Sequence, residues 1–202
     1  CNGVVAQVET SREKRSVPLL YSLSALQMDA NGLYGLTAAE TLDAAQWLYD
    51  NGFTTYPRSK SQYLNDDMRP VVTKLLKGLE KDADFKPYII GKRFEYENRF
   101  FNSKKVDSHF AIIPTGNLPV KLNDNQRKVF NLICWSVIRL LYPPAILDKT
   151  TVNTQVNGEK SLSIGTVVVD KGWLAVGDIK VKEEILPALH RGEKVDGQYS
   201  IE

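Results

Sequence analysis

Through the middle of the chain apolar residues recur at helical spacing, and at both ends they alternate with polar ones every second position. Leu19, Leu23, Leu26 and Ala30 predict a first helix with Pro18 in its opening turn and Asn31-Gly32 as its stop. A second helix starts at Thr37, which with Glu40 three residues on forms a capping box. Its apolar stripe of Leu42, Ala45 and Leu48 or Tyr49 runs up to Asn51-Gly52. A third helix carries Val71, Val72, Leu75, Leu76 and Leu79, with Asn65-Asp66-Asp67 as its cap and first-turn charge. A polar, irregular region follows from about Lys81 to Val106. Asn123 with Gln126 then repeats the capping logic, and Val129, Leu132, Ile133, Val137, Leu140 and Leu141 trace a helix face that Pro143-Pro144 terminates.

The ends read differently. Residues 1–10 form a strand pattern, and beyond Asp148 the chain reads as strand 150–156, a turn at Asn157-Gly158, strand 161–169, a turn at Lys171-Gly172 and a short strand 173–176. The order predicts an α+β chain, with one β domain made of residues 1–17 and 148–202, interrupted by a helical domain of residues 18–147.

At 202 residues, 43% hydrophobic and 25% charged, the chain is long enough to bury a core, so intrinsic disorder is excluded. The net charge of +2 neither demands nor excludes nucleic acid, which depends on a local basic strip. Arg58, Lys60, Lys92, Arg93, Lys104 and Lys105 make such a strip only if the fold gathers them, and Lys92 and Arg93 read as solvated. Two cysteines, Cys1 and Cys134, imply no disulfide framework and fit a reducing cytoplasm; Cys134 reads as core. The most apolar stretch, residues 130–142, contains Arg139 and is too short to span a bilayer, so a soluble protein without membrane association is expected. With no initiating Met and a strand at its very start, the chain is expected to begin partway through a longer polypeptide.

Candidate chemistry centres on Thr54-Thr55-Tyr56-Pro57-Arg58-Ser59. Pro57 pushes Tyr56 toward extended backbone, where residues i and i+2 point to one side roughly 7 Å apart. A phenol, with its usual pKa of about 10, attacks phosphorus only where neighbouring groups favour the phenolate and donors meet charge on the non-bridging oxygens. The planar guanidinium of Arg58 suits the second task. Alone, the tripeptide reads as an ordinary loop. His109 reads as a loop histidine or as a donor near a phosphate; His190 receives no role. Trp47, Trp135 and Trp173 are read as core, and Tyr63 as an exposed ring able to contact a nucleotide. Asp82-Ala83-Asp84 is read as a solvated helix end, and no metal-ligating motif is assigned.

Three blocks change the weight of these readings. The run from Pro18 to Leu64 resembles the nucleophile-bearing segment of type IA DNA topoisomerases, most closely the topoisomerase III branch. Asp107-Ser108-His109-Phe110-Ala111-Ile112-Ile113-Pro114-Thr115 is similar to that family's His-x-Ala-Ile-x-Pro-Thr element, and Gln126 to Pro144 to its Tyr-Pro-Pro helix. The resemblance implies a tyrosine-bearing helical domain inserted into a β-rich arch that opens for strand passage. It implies single-strand cleavage through a 5'-phosphotyrosyl bond without ATP, with Tyr56 as nucleophile and Arg58 and His109 stabilising the phosphate. Arg58, Ser59, Lys60 and His109 are then the nucleic-acid contacts. It also implies magnesium, held in an acidic domain outside this segment, so that residues 1–202 alone are expected not to relax DNA. The implied partner is a single-stranded DNA segment, with a helicase as a further candidate; the protein is expected to be monomeric, cytoplasmic and nucleoid-associated. Lys60 departs from the family, which usually carries an acidic residue there. That departure supports an alternative, a non-catalytic single-strand-binding or scaffolding module of the same fold.

Overall fold

The computed structural model describes residues 2–156, 158–177, 179, 181 and 183–196. The chain divides into two compact units, one made of residues 1–16 with 144–202, the other of residues 17–143.

The first unit is a four-stranded antiparallel sheet of β1 (Asn2–Arg15), β2 (Ala145–Val156), β3 (Glu159–Asp170) and β4 (Lys194–Asp196), in the order β3-β2-β1-β4. β1 pairs with β2 from Gly3↔Val156 to Arg15↔Ala145, with a bulge between Val5 and Gln7. Val5, paired with Thr154, shares a face with the buried Val152, while Ala145 and Leu147 are buried at the other end of β2 on the opposite face. β2 and β3 form the predicted hairpin, closing at Val156↔Glu159, with Gly158 at a φ of 88° supplying the positive dihedral of so tight a turn. Three sequence expectations shift here. β1 continues five residues past position 10, and β2 starts at Ala145 rather than after Asp148, because each strand satisfies the other's backbone along that length. The expected strand at 173–176 is instead a 3₁₀ turn, Gly172–Ala175. Trp173 and Leu174 are buried in it, and the indole donates to the Arg15 carbonyl at 3.0 Å, so side-chain burial overrides the alternating pattern.

The second unit is helical. It comprises α1 (Leu23–Tyr34), α2 (Ala38–Asp50), α3 (Arg69–Leu79), the single-turn α4 (Lys86–Ile89) and α5 (Asp124–Ile138), the last running into a 3₁₀ turn, Arg139–Leu141, before Pro143. Both capping boxes are present: Thr37 with Glu40, and Asn123 with Gln126. α1 differs from expectation at both ends. Pro18 lies in an extended lead-in whose Tyr21 bridges Ile112; Ser22 caps the helix by accepting from the Ala25 N–H. Asn31-Gly32 does not stop it, because Gly35, at a φ of 69°, adopts the left-handed cap. α3 lacks the side-chain cap expected from residues 65–67: Met68 is its N-cap, and Asp66 instead accepts from the Ser103 N–H at 3.4 Å.

The core of this unit is built on α5, whose Val129, Phe130, Leu132, Ile133, Val137 and Ile138 are buried. The polar region 81–106 contributes more than its composition suggests. Phe85, Ile89, Phe100 and Phe101 are all buried, and Phe85 sets its ring edge-on to Trp135 at 4.7 Å. Cys134 is buried as expected, and burial pushes its thiol up. Arg139 reaches the interior, 8% exposed, beside Tyr21, whose hydroxyl donates to Asp29 at 2.6 Å. Burial raises the Tyr21 phenol and lowers the Arg139 guanidinium, each against its ordinary value.

Candidate active site at the Tyr56 cleft

α2 ends by turning the chain directly into the tyrosine segment. The Asn51 side chain donates to the Trp47 carbonyl at 2.8 Å, and Phe53 stacks on Trp47 with centroids 6.1 Å apart. Residues 53–55 then run beside 111–115. The Thr55 N–H donates to Ile113 at 2.9 Å, the Ile113 N–H to the Thr55 hydroxyl at 3.0 Å, and the Thr115 N–H to Phe53 at 3.0 Å. Pro57 has no N–H to continue such a ladder, and the chain turns at Pro57-Arg58 instead of staying extended through the tripeptide.

The turn brings Tyr56, Arg58, Ser59, Lys60, Asp107, Ser108 and His109 around one cleft of about 220 Å³. All five sequence-predicted site residues are among them. The half-buried Tyr56 ring lies 4.3 Å from the His109 ring, centroid to centroid, with the planes tilted by 37°, and Tyr49 of α2 meets it edge-on at 5.5 Å. Arg58 and Lys60 are exposed. The Arg58 guanidinium donates to the Gln46 side-chain carbonyl at 2.7 Å, and the Gln46 amide donates in turn to Asp50 at 2.8 Å.

Ser59 stands apart from the other predicted nucleic-acid contacts. It is 2% exposed, and its hydroxyl donates to the His109 carbonyl at 3.0 Å while accepting from the Ser61 N–H at 3.2 Å. Its own carbonyl accepts from the Leu23 N–H at 2.9 Å. The hydroxyl is thus committed to holding the two halves of the cleft together.

The cations divide. Ser61 donates to the Lys105 carbonyl at 3.0 Å, bringing Ser103–Lys105 alongside residues 61–63. Tyr63 is half-buried rather than exposed: Lys105 Nζ donates to its hydroxyl at 3.2 Å and lies 4.7 Å from its ring centroid. Lys92 lies over the Tyr142 ring at 4.0 Å, and Arg93 lines a separate recess with Leu140 and Tyr142. Gln46, Tyr49, Asp107 and Ser108 were not named as site residues from sequence. The signal for the first two is their i, i+3 spacing on the last turns of the helix that delivers Tyr56.

A phenol backed by an imidazole, with a guanidinium and an ammonium at the rim, suits a phosphodiester: one oxygen to attack and fixed charges to meet the phosphoryl oxygens. Among the described residues no three His, Cys, Asp or Glu side chains converge as a metal site. Asp82 accepts from the Asp84 N–H at 2.8 Å in a local turn, and Asp84 is exposed. No helix among the described residues is long and apolar enough to cross a membrane.

A family model described as DNA topoisomerase matches residues 2–201. DNA topoisomerase 3 of Bacillus subtilis (strain 168) is 34% identical over 204 residues, covering 95% of this chain and 28% of the relative. DNA topoisomerase 3 of Pasteurella multocida (strain Pm70) is 35% identical over 196 residues, covering 94% of this chain and 30% of the relative. The chain therefore spans less than a third of the length of these relatives. Among solved structures, full-length topoisomerase I from Thermotoga maritima superposes with a TM-score of 0.62 at 24% identity, over 96% of this chain and 32% of that one, a likeness of fold.

Proposed function

The chain belongs to the DNA topoisomerase family, and from that premise we propose that it is the nucleophile-bearing part of a topoisomerase III-like, type IA enzyme. The Tyr56 oxygen attacks a backbone phosphorus, a 5'-phosphotyrosyl bond forms, and the bond to the 3' oxygen breaks, leaving a free 3' hydroxyl. After strand passage that hydroxyl attacks the same phosphorus and returns the phenol. One phosphodiester is exchanged for another, so resealing needs no ATP. Arg58 and Lys60 meet the non-bridging oxygens, and His109 donates to the phosphate or carries the proton. Ser59 orients His109 through its carbonyl.

The observation that carries this reading is the packing of Tyr56 against His109 in the cleft that Arg58 and Lys60 rim. The described residues do not fit a magnesium site, so the metal is assigned to another part of the whole protein, and no step here depends on it. A single-stranded DNA segment is the proposed substrate. Cytoplasmic location at the nucleoid, a monomeric state and a helicase partner belong to the same proposal.

The test is to incubate the full-length protein carrying residues 1–202 with 3'-end-labelled single-stranded DNA and magnesium, then to map the adduct by peptide sequencing. The label is expected on the peptide containing Tyr56, and Tyr56→Phe is expected to lose both adduct and relaxation. An adduct that persists in Tyr56→Phe rules the assignment out. Lys60, in place of the usual acidic residue, favours one rival, a module that binds single strands without cutting them. Salt-dependent binding with no adduct under any condition supports that rival.

A further inference from the structure

Away from the Tyr56 cleft, the second unit carries a groove of about 290 Å³ between α3 and the turn at Thr115-Gly116-Asn117. Lys74, Lys77 and Lys81 line one side, spaced i, i+3 and i+7 along α3 and the turn that follows it, and all three are exposed. None of them takes part in an ion pair among the described residues. Of the acidic residues that flank Lys81 in sequence, Asp82 accepts from the Asp84 N–H. Lys74 and Lys77, three residues apart on α3, repel each other, and Lys81 follows just past the C-cap, so the row favours a group of opposite charge along it.

The opposite wall is built rather than incidental. The Thr115 hydroxyl donates to the Gly52 carbonyl at 2.8 Å, the Asn117 amide to the same carbonyl at 3.2 Å, and the Asn117 N–H to the Thr115 hydroxyl at 3.3 Å. Gly116, at a φ of 92°, passes so close to α3 that a β-carbon there would lie 2.9 Å from the Leu75 Cα, and one on Gly78 would overlap the Gly116 carbonyl. The two backbones touch at the floor, leaving a narrow channel with ammonium groups on one edge and the polar 115–117 turn on the other.

We propose that this channel is a second nucleic-acid contact, gripping the phosphates of the strand whose scissile bond lies at Tyr56. Lysines are point charges without the directional fork of arginine, suited to a sequence-independent backbone grip. Seven residues at 1.5 Å rise cover about 10 Å, matching roughly three phosphate steps of a stacked strand at about 3.4 Å each. One segment, buried from Ala111 to Pro114, links the channel wall to the cleft. Thr115, at the channel wall, and His109, at the cleft, end one segment, which residues 53–55 accompany through the bonds at Ile113 and Thr115. Six residues of extended chain span about 20 Å. A strand that crosses such a separation takes some six stacked nucleotides at roughly 3.4 Å each.

The proposal rests on the DNA-cleaving reading, and its test separates the two. In the full-length protein, Lys74→Gln, Lys77→Gln and Lys81→Gln are combined. Affinity for fluorescent single-stranded oligonucleotides of about 4 and 20 nucleotides is then measured across salt concentration, with Tyr56→Phe carried alongside. Each lost phosphate contact on a single strand reduces the slope of log K against log salt by about 0.7, so the triple variant is expected to bind the long oligonucleotide with a slope shallower by about 2. Binding of the short one, and adduct formed per bound short one, are expected to stay unchanged. The matching Lys→Arg triple is expected to restore the slope and exclude misfolding. An unchanged slope, an equal loss on the short oligonucleotide, or an equal loss when Lys14, Lys160 and Lys194 are replaced instead overturns the proposal. An adduct surviving in Tyr56→Phe overturns the cleavage reading and leaves the slope comparison standing on its own.

Discussion

Ser59 joins the two halves of the cleft through a single buried hydroxyl. Ser59→Ala leaves the His109 carbonyl and the Ser61 N–H without that partner, and is expected to lower stability by about 1–2 kcal/mol. Because His109 loses its tether while Arg58 and Lys60 remain, adduct formation at saturating DNA is expected to fall more than affinity does. Single-turnover cleavage beside equilibrium binding checks this; equal losses in both would place Ser59 among the DNA contacts instead. That Tyr56, Arg58 and His109 share one cleft was legible only through the family resemblance of the blocks around them, since alone the tripeptide reads as a loop. Gln46 and Tyr49 were not, since their contacts depend on how the last turns of α2 face the loop that follows. Arg139 was also illegible: in sequence it is a polar interruption in an apolar run, and in the fold it is a buried partner of Tyr21.

The two capping-box starts, at α2 and α5, were legible, because such a cap is a local hydrogen-bond problem that four residues solve by themselves; the starts of α1 and α3 were not. Asn123→Ala removes the acceptor for the Gln126 N–H and is expected to cost about 1 kcal/mol, read as a lower midpoint in urea with unchanged slope. The Thr37 backbone and hydroxyl donate to the Glu40 carboxylate and hold its pKa below the ordinary value. A depressed carboxylate contributes stability that is complete above its unfolded pKa, near 4.5, and is lost as pH falls through the lower folded value. Melting followed from pH 6 to about pH 2 is therefore expected to show a loss in the parent that Glu40→Gln lacks in part. Where tertiary burial decided, the sequence misled. The start of α1 was displaced by pairing of Tyr21 with Ile112, and the 173–176 segment by burial of its indole. Gly78→Ala probes such a long-range constraint, since its new methyl meets the Gly116 carbonyl. It is expected to destabilise by about 1–3 kcal/mol, measured by chemical denaturation.

At the scale of the molecule, the described residues offer a candidate nucleophile and cationic rim but no cluster able to hold a metal. Residues 1–202 expressed alone are accordingly expected not to relax supercoiled DNA in magnesium, while still binding single strands in a salt-dependent way. Relaxation by that polypeptide would show that the chemistry assigned elsewhere lies within it. The α+β character was legible from the change of period along the chain, and the β2–β3 hairpin from Asn157-Gly158. The β1–β2 pairing was harder to see, because no local signal links segments so far apart. Its register, from Gly3↔Val156 to Arg15↔Ala145, also sets a timetable. A ribosome adding roughly 5–20 residues per second exposes β1 for on the order of ten seconds before its neighbour emerges. During that wait β1 is an open template for foreign strands. The charges at Glu9, Arg12, Glu13, Lys14 and Arg15 discourage such pairing in the nascent chain.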